Sequence, residues 1–296
     1  NILVGYTGQI SLGHAAFMTV GAYSGAILAR ELGFAFWVAV PCAALITGFV
    51  GLLFGLPSLR VKGFYLAMAT LAAQFIIPWV LRYPLEDLTN GARPLEVPRP
   101  EFFGISFGSA AAFYYVAVIL AVFMFLAARN LIRTRTGRAF ISVRDNDLAA
   151  ELLGINVFNY KLQAFFLSAL YAGVVGALRA FEAETIPPET SLVQLASSIE
   201  MLAMLIIGGA GFSLGPLFGV TFLNILQEQV IPNLNSWALD WLPGLMPFVE
   251  PANVQASMTR ILFGGALMLF LIVEPRGFAY RWEILKISWK IRPYSY

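Results

Sequence analysis

Few side chains in this 296-residue sequence are of types that could carry out catalysis or bind metal. His14 and Cys42 are the only residues of their types. A Cys/His metal cluster usually needs about four ligands, and a disulfide needs a second cysteine, so this chain alone can build neither. His14 lies in an apolar run without an acidic neighbour, which favours a hydrogen-bonded packing role over general-base catalysis. The pattern does not predict an enzyme.

Phosphate-binding motifs are missing as well. The sequence has no Gly-Lys dipeptide and hence no P-loop, and Gly209-Ala-Gly211 lacks the third glycine of a dinucleotide-binding fingerprint. We therefore expect no cofactor or metal in this chain. The net charge is +2, and the basic residues flank apolar segments instead of forming a patch on a soluble fold. This distribution excludes nucleic acid as a partner.

The elements that must position these residues are membrane helices. Hydrophobic side chains make up 59% of the sequence and charged ones 12%, whereas a soluble domain has about 25% charged residues. A membrane span needs about 20 apolar residues. Hydropathy and turn residues predict eight spans, near residues 10–30, 34–56, 63–83, 109–129, 158–180, 191–210, 214–231 and 257–274. We expect an all-α integral membrane protein with one transmembrane domain over residues 1–296, and sequence missing before Asn1.

The distribution of Lys and Arg predicts the orientation. Thirteen of the 19 basic residues lie in one alternating set of loops and six in the other, and cytoplasmic loops carry the excess. Loops 57–62 and 130–157 and the tail 276–296 are therefore predicted to be cytoplasmic. The Pro-rich stretches 84–108 and 232–256 are predicted to face outside. The tail has Trp and Leu on one helical face and Lys near the other, which is typical of an amphipathic helix on the inner leaflet.

Segment 133–157 is predicted to contain a short amphipathic helix between two spans. Asp145 or Asp147 can cap its N-terminus, and Gly154 suits the left-handed position after its C-terminus. An inner-leaflet helix favours Lys and Arg, so the acidic residues of this segment indicate a partner protein instead of lipid. The candidate contact residues are Arg138, Arg144, Asp145, Asp147, Leu148, Glu151, Leu152 and Gly154.

Two Gly-rich segments, 8–13 and 208–216, predict broken or re-entrant helices, and both contain Ser-Leu-Gly. Such breaks present backbone dipoles at membrane depth, which the polar ends of a largely apolar solute require. Glu200 lies inside a predicted span, where it either orients a gate or caps the outer end of its helix. The candidate pathway residues are Gln9, Ser11, His14, Gln74, Glu200, Gly209, Gly211 and Ser213.

Three blocks of the sequence resemble a known family. They are GYTGQISLGHAAF at 5–17, GRAFISVRDNDLAAELLGIN at 137–156, and the stretch from SIEML to GP at 198–216. Through them the chain resembles permeases of branched-chain amino-acid ABC importers. The resemblance implies a non-catalytic, multi-pass subunit of the bacterial inner membrane. It also implies a second homologous permease chain, two ATPase subunits that hold ATP and Mg, and an extracytoplasmic solute-binding protein.

Other functions stay open at this point. Similar permeases carry amides, urea or aromatic acids, so the resemblance implies the mechanism more firmly than the cargo. An ion-coupled secondary transporter would bury several paired charges at mid-membrane, but of the acidic residues only Glu200 and Glu228 lie inside the predicted spans, apart from Glu274 at the end of the last one. A membrane-embedded enzyme would need a nucleophile and base, or metal ligands, in register.

Overall fold

The computed structural model describes residues 1–58, 64–91, 93–99, 101–102, 105–106, 110–187, 195–234, 261–265, 267–270, 272–274 and 276–291. The helices in these ranges are α1 (Val4–Thr7), α2 (His14–Arg30), α3 (Phe36–Ser58), α4 (Phe64–Arg82), α5 (Glu86–Thr89), α6 (Ala110–Arg133), α7 (Arg135–Asp145), α8 (Asp147–Leu152), α9 (Val157–Ala183), α10 (Leu195–Gly208), α11 (Gly215–Ile225), α12 (Ile261–Phe270) and α13 (Phe278–Ile291). A π-helical turn, Leu226–Val230, follows α11 directly.

Four short strands lie in the connections. They are β1 (Leu95–Glu96), β2 (Glu101–Phe102), β3 (Ile105–Ser106) and β4 (Thr185–Ile186). β1 pairs with β4 in antiparallel register, with Leu95 opposite Ile186, and β2 pairs with β3. The first pair joins the predicted outer segment 84–108 to the end of α9. Most of the other predicted outer segment, residues 235–256, lies outside the described residues, as do 59–62 and 292–296 of the predicted cytoplasmic segments.

The helices follow the hydropathy pattern. Each of the eight predicted spans contains a described helix. Within the described ranges, α3, α4, α6 and α9 are long and apolar enough to cross a bilayer, whereas α10 and α12 are shorter apolar helices. This confirms the all-α membrane class, while the number of eight crossings stays a prediction.

Two compact units make up the chain, residues 2–199 and residues 200–296 together with Asn1. In the 2–199 unit, α2, α3 and α9 pack against one another through small residues. A Cβ added to Gly176 would lie 1.9 Å from the carbonyl oxygen of Met18, and one added to Gly21 would lie 2.5 Å from the Cα of Gly173. Glycine allows this close backbone approach, which replaces the hydrophobic effect as a source of helix association in a bilayer.

α2 begins well inside the 2–199 unit. His14 lies beside Ser168 of α9 and Gly25 beside Ala177, so the two helices run in the same direction. At a rise of about 1.5 Å per residue, Ser168 lies about 16 Å from the first residue of α9. Residues 8–13 are not helical and connect α1 to this point. The structure therefore contains the helix interruption predicted at 8–13.

The 200–296 unit contains the second predicted interruption. α10 ends at Gly208 and α11 begins at Gly215, and Gly209 and Gly211 between them have φ values of 105° and 87°. A Cβ on Gly277 would lie 2.5 Å from the Cα and N of Gly209, so this turn packs closely against the backbone that precedes α13. Ile207, Leu223 and Phe270 form the core of the unit. The tail contains the predicted helix, α13, whose placement on lipid stays a prediction.

Candidate functional site

The N-terminus of α2 is capped by side chains from two other helices. The backbone N–H of Ala15 donates to Ser198 Oγ at 3.1 Å, and that of Ala16 donates to Gln74 Oε1 at 3.2 Å. Ser198 Oγ also donates to Gln74 Oε1 at 3.2 Å. The first N–H groups of a helix have no partner within it, and a buried end must find partners elsewhere. Because the N-cap residue of α2 is Gly13, these partners are tertiary, from α4 and α10.

The nonhelical residues before α2 are held by α4 in the same way. The N–H of Leu12 donates to Thr70 Oγ1 at 2.9 Å, and a Cβ on Gly13 would lie 2.6 Å from the carbonyl oxygen of Thr70. Gln74 lies about 15 Å from the start of α4 at about 1.5 Å per residue. For a helix that crosses a hydrocarbon core about 30 Å thick, this depth is near the middle. The structure thus brings backbone and side-chain dipoles together in the buried interior of the 2–199 unit.

His14 pairs with a serine that the sequence did not point to. His14 Nε2 and Ser168 Oγ are 2.5 Å apart, and the imidazole meets the ring of Phe17 edge to face. A hydrolytic dyad also needs a carboxylate to orient the imidazole and donors for an oxyanion. Neither of these contacts of His14 supplies such a group. The pair fits a hydrogen-bonded packing element.

Gln9 has an unusual environment. Its Nε2 donates to Thr7 Oγ1 at 2.9 Å and, over a longer 3.5 Å, to the carbonyl oxygen of Lys161. Its Oε1 is buried and has no hydrogen-bond partner within the described part of the chain. Buried acceptors rarely lack a partner, so this atom marks a place where the packing is not optimised for stability alone. We call the polar side chains around the interruption the polar cluster: Gln9, Ser11, His14, Thr70, Gln74, Ser168 and Ser198.

The structure separates the eight predicted pathway residues into two groups. Four of them, Gln9, Ser11, His14 and Gln74, lie in the polar cluster of the 2–199 unit. The other four lie in the 200–296 unit. Sequence reasoning missed Thr70, Ser168 and Ser198, which are small hydroxyl residues in largely apolar helices. Thr70 lies one helical turn before Gln74 on α4, and this spacing is the signal that could have added Thr70 to the predicted residues.

The four residues of the 200–296 unit lie on α10 and in the turn that follows it. Glu200 on α10 accepts a hydrogen bond from Gln227 Nε2, which lies in the π-helical turn after α11. The N–H of Gly211 donates to Asn1 Oδ1 at 2.9 Å. Ser213 and Gly209 lie in the turn between α10 and α11. The two predicted roles of Glu200, orienting a gate or capping the outer end of its helix, stay predictions. The structure adds Gln227 as the partner of its carboxylate.

Segment 133–157 forms two helices, α7 and α8, joined at Asn146. Asn146 Oδ1 accepts from the N–H of Ala149 at 3.0 Å and is the N-cap of α8. The prediction that Asp145 or Asp147 caps this helix is wrong. Asn146 alone among the three has an extended backbone, with φ −160° and ψ 106°, which directs its side chain toward the third residue of the helix. Asp147 instead lies in the first turn, where its charge complements the helix dipole.

The C-terminus of α8 has the predicted left-handed glycine. Gly154 has a φ of 83°, its N–H donates to Glu151 O at 2.9 Å, and the N–H of Ile155 donates to Ala150 O at 3.0 Å. This pair of bonds is a Schellman motif. Both ends of α8 are therefore fixed, although the helix has only six residues.

Three leucines project from α8 and its C-terminus. Leu148, Leu152 and Leu153 are 65%, 90% and 81% exposed, and we call them the α8 surface. Arg138 and Glu151 are exposed nearby in sequence. Apolar side chains held on a capped helix in a basic, polar segment are typical of a protein contact surface.

Comparison with known proteins identifies a matching family and several relatives. Residues 1–272 match the family model described as "Branched-chain amino acid transport system / permease component". The chain is 30% identical over 270 residues to the "High-affinity branched-chain amino acid transport system permease protein LivM" of Salmonella typhimurium, and equally to LivM of Escherichia coli. Each match covers 83% of this chain and 63% of the relative, so the chain spans less than two thirds of the length of these relatives.

A third relative carries a different printed cargo. The "Autoinducer 2 import system permease protein LsrC" of Klebsiella pneumoniae is 28% identical over 214 residues, which cover 69% of this chain and 57% of that protein. No solved structure matches the chain. The family match extends over nearly all of the sequence, including the polar cluster, α7 and α8. The chain therefore belongs to the family of permease components of branched-chain amino acid transport systems, which are non-catalytic membrane subunits.

Proposed function

We propose that this chain is the permease subunit of an ATP-driven importer for branched-chain or other neutral hydrophobic amino acids. It would act as one transmembrane domain, residues 1–296, in the bacterial inner membrane. The family match and the printed names of the LivM relatives support transport of branched-chain amino acids. The printed name of the LsrC relative supports import. The apolar helices of the described ranges support the multi-pass placement.

The observation that carries the mechanism is the α8 surface. Leu152 is 90% exposed. If a partner protein buries this side chain, the burial stabilises the complex by about 2 kcal/mol. In an ATP-driven importer the partner at this place is an ATPase subunit, which holds ATP and Mg. The contact residues would be those predicted from segment 133–157. ATP-driven movement of the two ATPase subunits would then rock the helices between outward and inward states.

The remaining partners belong to the same proposal. A second, homologous permease chain would complete the transport pathway. A solute-binding protein would dock on the outer segments 84–108 and 232–256 and release its cargo there. The bilayer surrounds the helices, and no nucleic acid takes part.

The polar cluster supports an amino-acid cargo. It places hydroxyl and amide groups, which the polar ends of a solute would need, next to apolar side chains such as Phe17 and Phe165. An ion-coupled carrier would need paired charges in this position, and the members of the polar cluster do not provide them. A different cargo is the second candidate, because LsrC relatives are named for autoinducer 2 import. Amides, urea and aromatic acids belong to this alternative.

Competition for uptake tests the cargo. In proteoliposomes that contain the whole complex and its solute-binding protein, excess valine or isoleucine should suppress the uptake of labelled leucine. Urea and phenylacetate should leave it unchanged, because they lack either the apolar side chain or the paired amino and carboxyl groups. If urea or phenylacetate competed and valine did not, the assignment to branched-chain amino acids would be wrong, although the family would stand.

A further inference from the structure

We propose that Arg144 and Lys161 are positioning residues that connect α7 and α8 to the helix interruption at 8–13. Through them, a displacement of the α8 surface would move the interruption and the N-terminus of α2. This inference rests on the proposed function, in which an ATPase subunit displaces α8. It adds the route by which that displacement reaches the polar cluster.

The first contact runs from α7 to α1. Arg144 Nη1 donates to the carbonyl oxygen of Gly5 at 2.9 Å, while Nε and Nη2 of the same guanidinium lie 2.9 Å from Asp145 Oδ1. The planar guanidinium holds several partners in one fixed geometry, which a lysine ammonium does not. The C-terminal end of α7 is therefore attached directly to the backbone of α1.

The same arginine also packs where α1 ends. Gly8 follows α1 with a φ of 67°, and a Cβ on it would lie 3.2 Å from Cγ of Arg144. The arginine side chain thus contacts α1 through its charged end and Gly8 through its aliphatic part. A movement of Arg144 would displace both the last turn of α1 and the first residue of the interruption.

The second contact runs from α8 through α9. Lys161 Nζ pairs with Asp147 Oδ2 at 3.3 Å, and the two side chains are only 18% and 28% exposed. Solvent screens such a partly buried pair less than one on the surface. The carbonyl oxygen of Lys161 accepts the hydrogen bond from Gln9 Nε2. Lys161 therefore lies between the first residue of α8 and the second residue of the interruption.

The nonhelical backbone at residues 8–13 would let a displacement of Arg144 or Lys161 reach the N-terminus of α2. Residues 8–13 are not helical, and the following N–H groups at Ala15 and Ala16 are bonded to side chains of other helices. Hinges are commonly loop positions at the ends of rigid elements. The buried Oε1 of Gln9, which has no hydrogen-bond partner among the described residues, fits a segment that has a second arrangement.

A reporter in the interruption tests this route. The permease would carry Cys42→Ser, to remove the native thiol, and Ser11→Cys, which places a thiol at a buried position of the interruption. The complex with its partner permease and ATPase subunits would be placed in nanodiscs. The rate of thiol alkylation would be measured without nucleotide and with ATP, using ATPase subunits that bind but do not hydrolyse it.

With Arg144 and Lys161 intact, ATP should change the alkylation rate several-fold. Lys161→Met should abolish the difference between the two states while the ATPase subunits stay bound, and Arg144→Ala should abolish it as well. Arg144→Lys, which keeps a donor toward Gly5, should restore part of it. Lys161→Met serves as the decisive variant if Arg144→Ala loses the ATPase, because Lys161 belongs to α9. Arg129→Ala, at an exposed arginine of α6, is the matched control and should retain the full difference.

The outcomes separate this inference from the proposed function. An ATP-dependent rate that persists in both Arg144→Ala and Lys161→Met would overturn the route and leave the importer assignment intact. The same holds if ATP does not change the rate in the intact complex while uptake is normal. If ATPase subunits do not bind the unmodified permease at all, the proposed function fails and this inference fails with it.

Discussion

Leu152→Asp is expected to release the ATPase subunits from the purified complex. Leu152 is the most exposed residue of the α8 surface, and an aspartate there would place an unpaired charge in the proposed interface. Losing a buried anchor at an interface hot spot costs at least about 2 kcal/mol, which corresponds to a roughly 30-fold weaker association. The measurement is the dissociation constant of ATPase subunits for the permease in detergent. Leu148→Asp should act in the same direction.

Two variants control this experiment. Leu32→Asp makes the same change at a leucine that is 60% exposed between α2 and α3, and it should leave ATPase binding unchanged. Gly154→Val changes no residue of the α8 surface. A Cβ there meets nothing within 4 Å, so its effect is the strain of a φ of 83°, about 1–2 kcal/mol. It should keep the ATPase subunits bound but weaken the stimulation of ATP hydrolysis by loaded binding protein. Unaltered ATPase affinity in Leu148→Asp and Leu152→Asp would contradict the role of the α8 surface.

Gln74→Leu is expected to destabilise the permease and abolish uptake. Gln74 Oε1 accepts from the N–H of Ala16 and from Ser198 Oγ, and a leucine would leave both donors unpaired in the interior. A buried donor without an acceptor costs about 1–3 kcal/mol. The measurement is the free energy of unfolding in detergent, together with leucine uptake by the complex in proteoliposomes.

Gln163→Leu is the matched control, because Gln163 is an exposed residue of α9 outside the polar cluster. It should be as stable as the wild type. Ser198→Ala removes one of the donors, so Gln74→Leu and Ser198→Ala together should cost less than the sum of the two single changes. Additive costs, or a Gln74→Leu protein of wild-type stability, would show that the two side chains do not cap α2.

Hydropathy and turn residues were sufficient to locate the helices within the eight predicted spans, whereas α1, α5 and α7 were not predicted. Apolar runs of span length correspond to described helices because a bilayer leaves the backbone few alternatives to a helix. The interruption at 8–13 could also be predicted, because Gly8 and Gly13 flank a short polar stretch. At Gly8 the structure has the left-handed backbone, and at Gly13 the close approach to α4.

The partners in the polar cluster could not be read from the sequence. The pairing of His14 with Ser168 depends on how α2 and α9 are aligned, and that alignment follows from close contacts between small residues such as Gly176 and Met18. Ser198 is one hydroxyl in an apolar helix, with no local pattern that distinguishes it. The N-cap of α8 was misassigned for a similar reason. Asp145, Asn146 and Asp147 are all good capping types, and only the backbone angles select Asn146.

The most direct test of the central claim is the energy source of leucine uptake. Proteoliposomes would contain the permease pair and the ATPase subunits. The solute-binding protein and labelled leucine would be outside the vesicles, and ATP would be on the side of the membrane that carries the ATPase subunits. The account predicts uptake that requires ATP and the binding protein and that stops when the ATPase subunits bind ATP without hydrolysing it. Leucine uptake that is driven by a proton or sodium gradient and continues without the ATPase subunits would contradict the account.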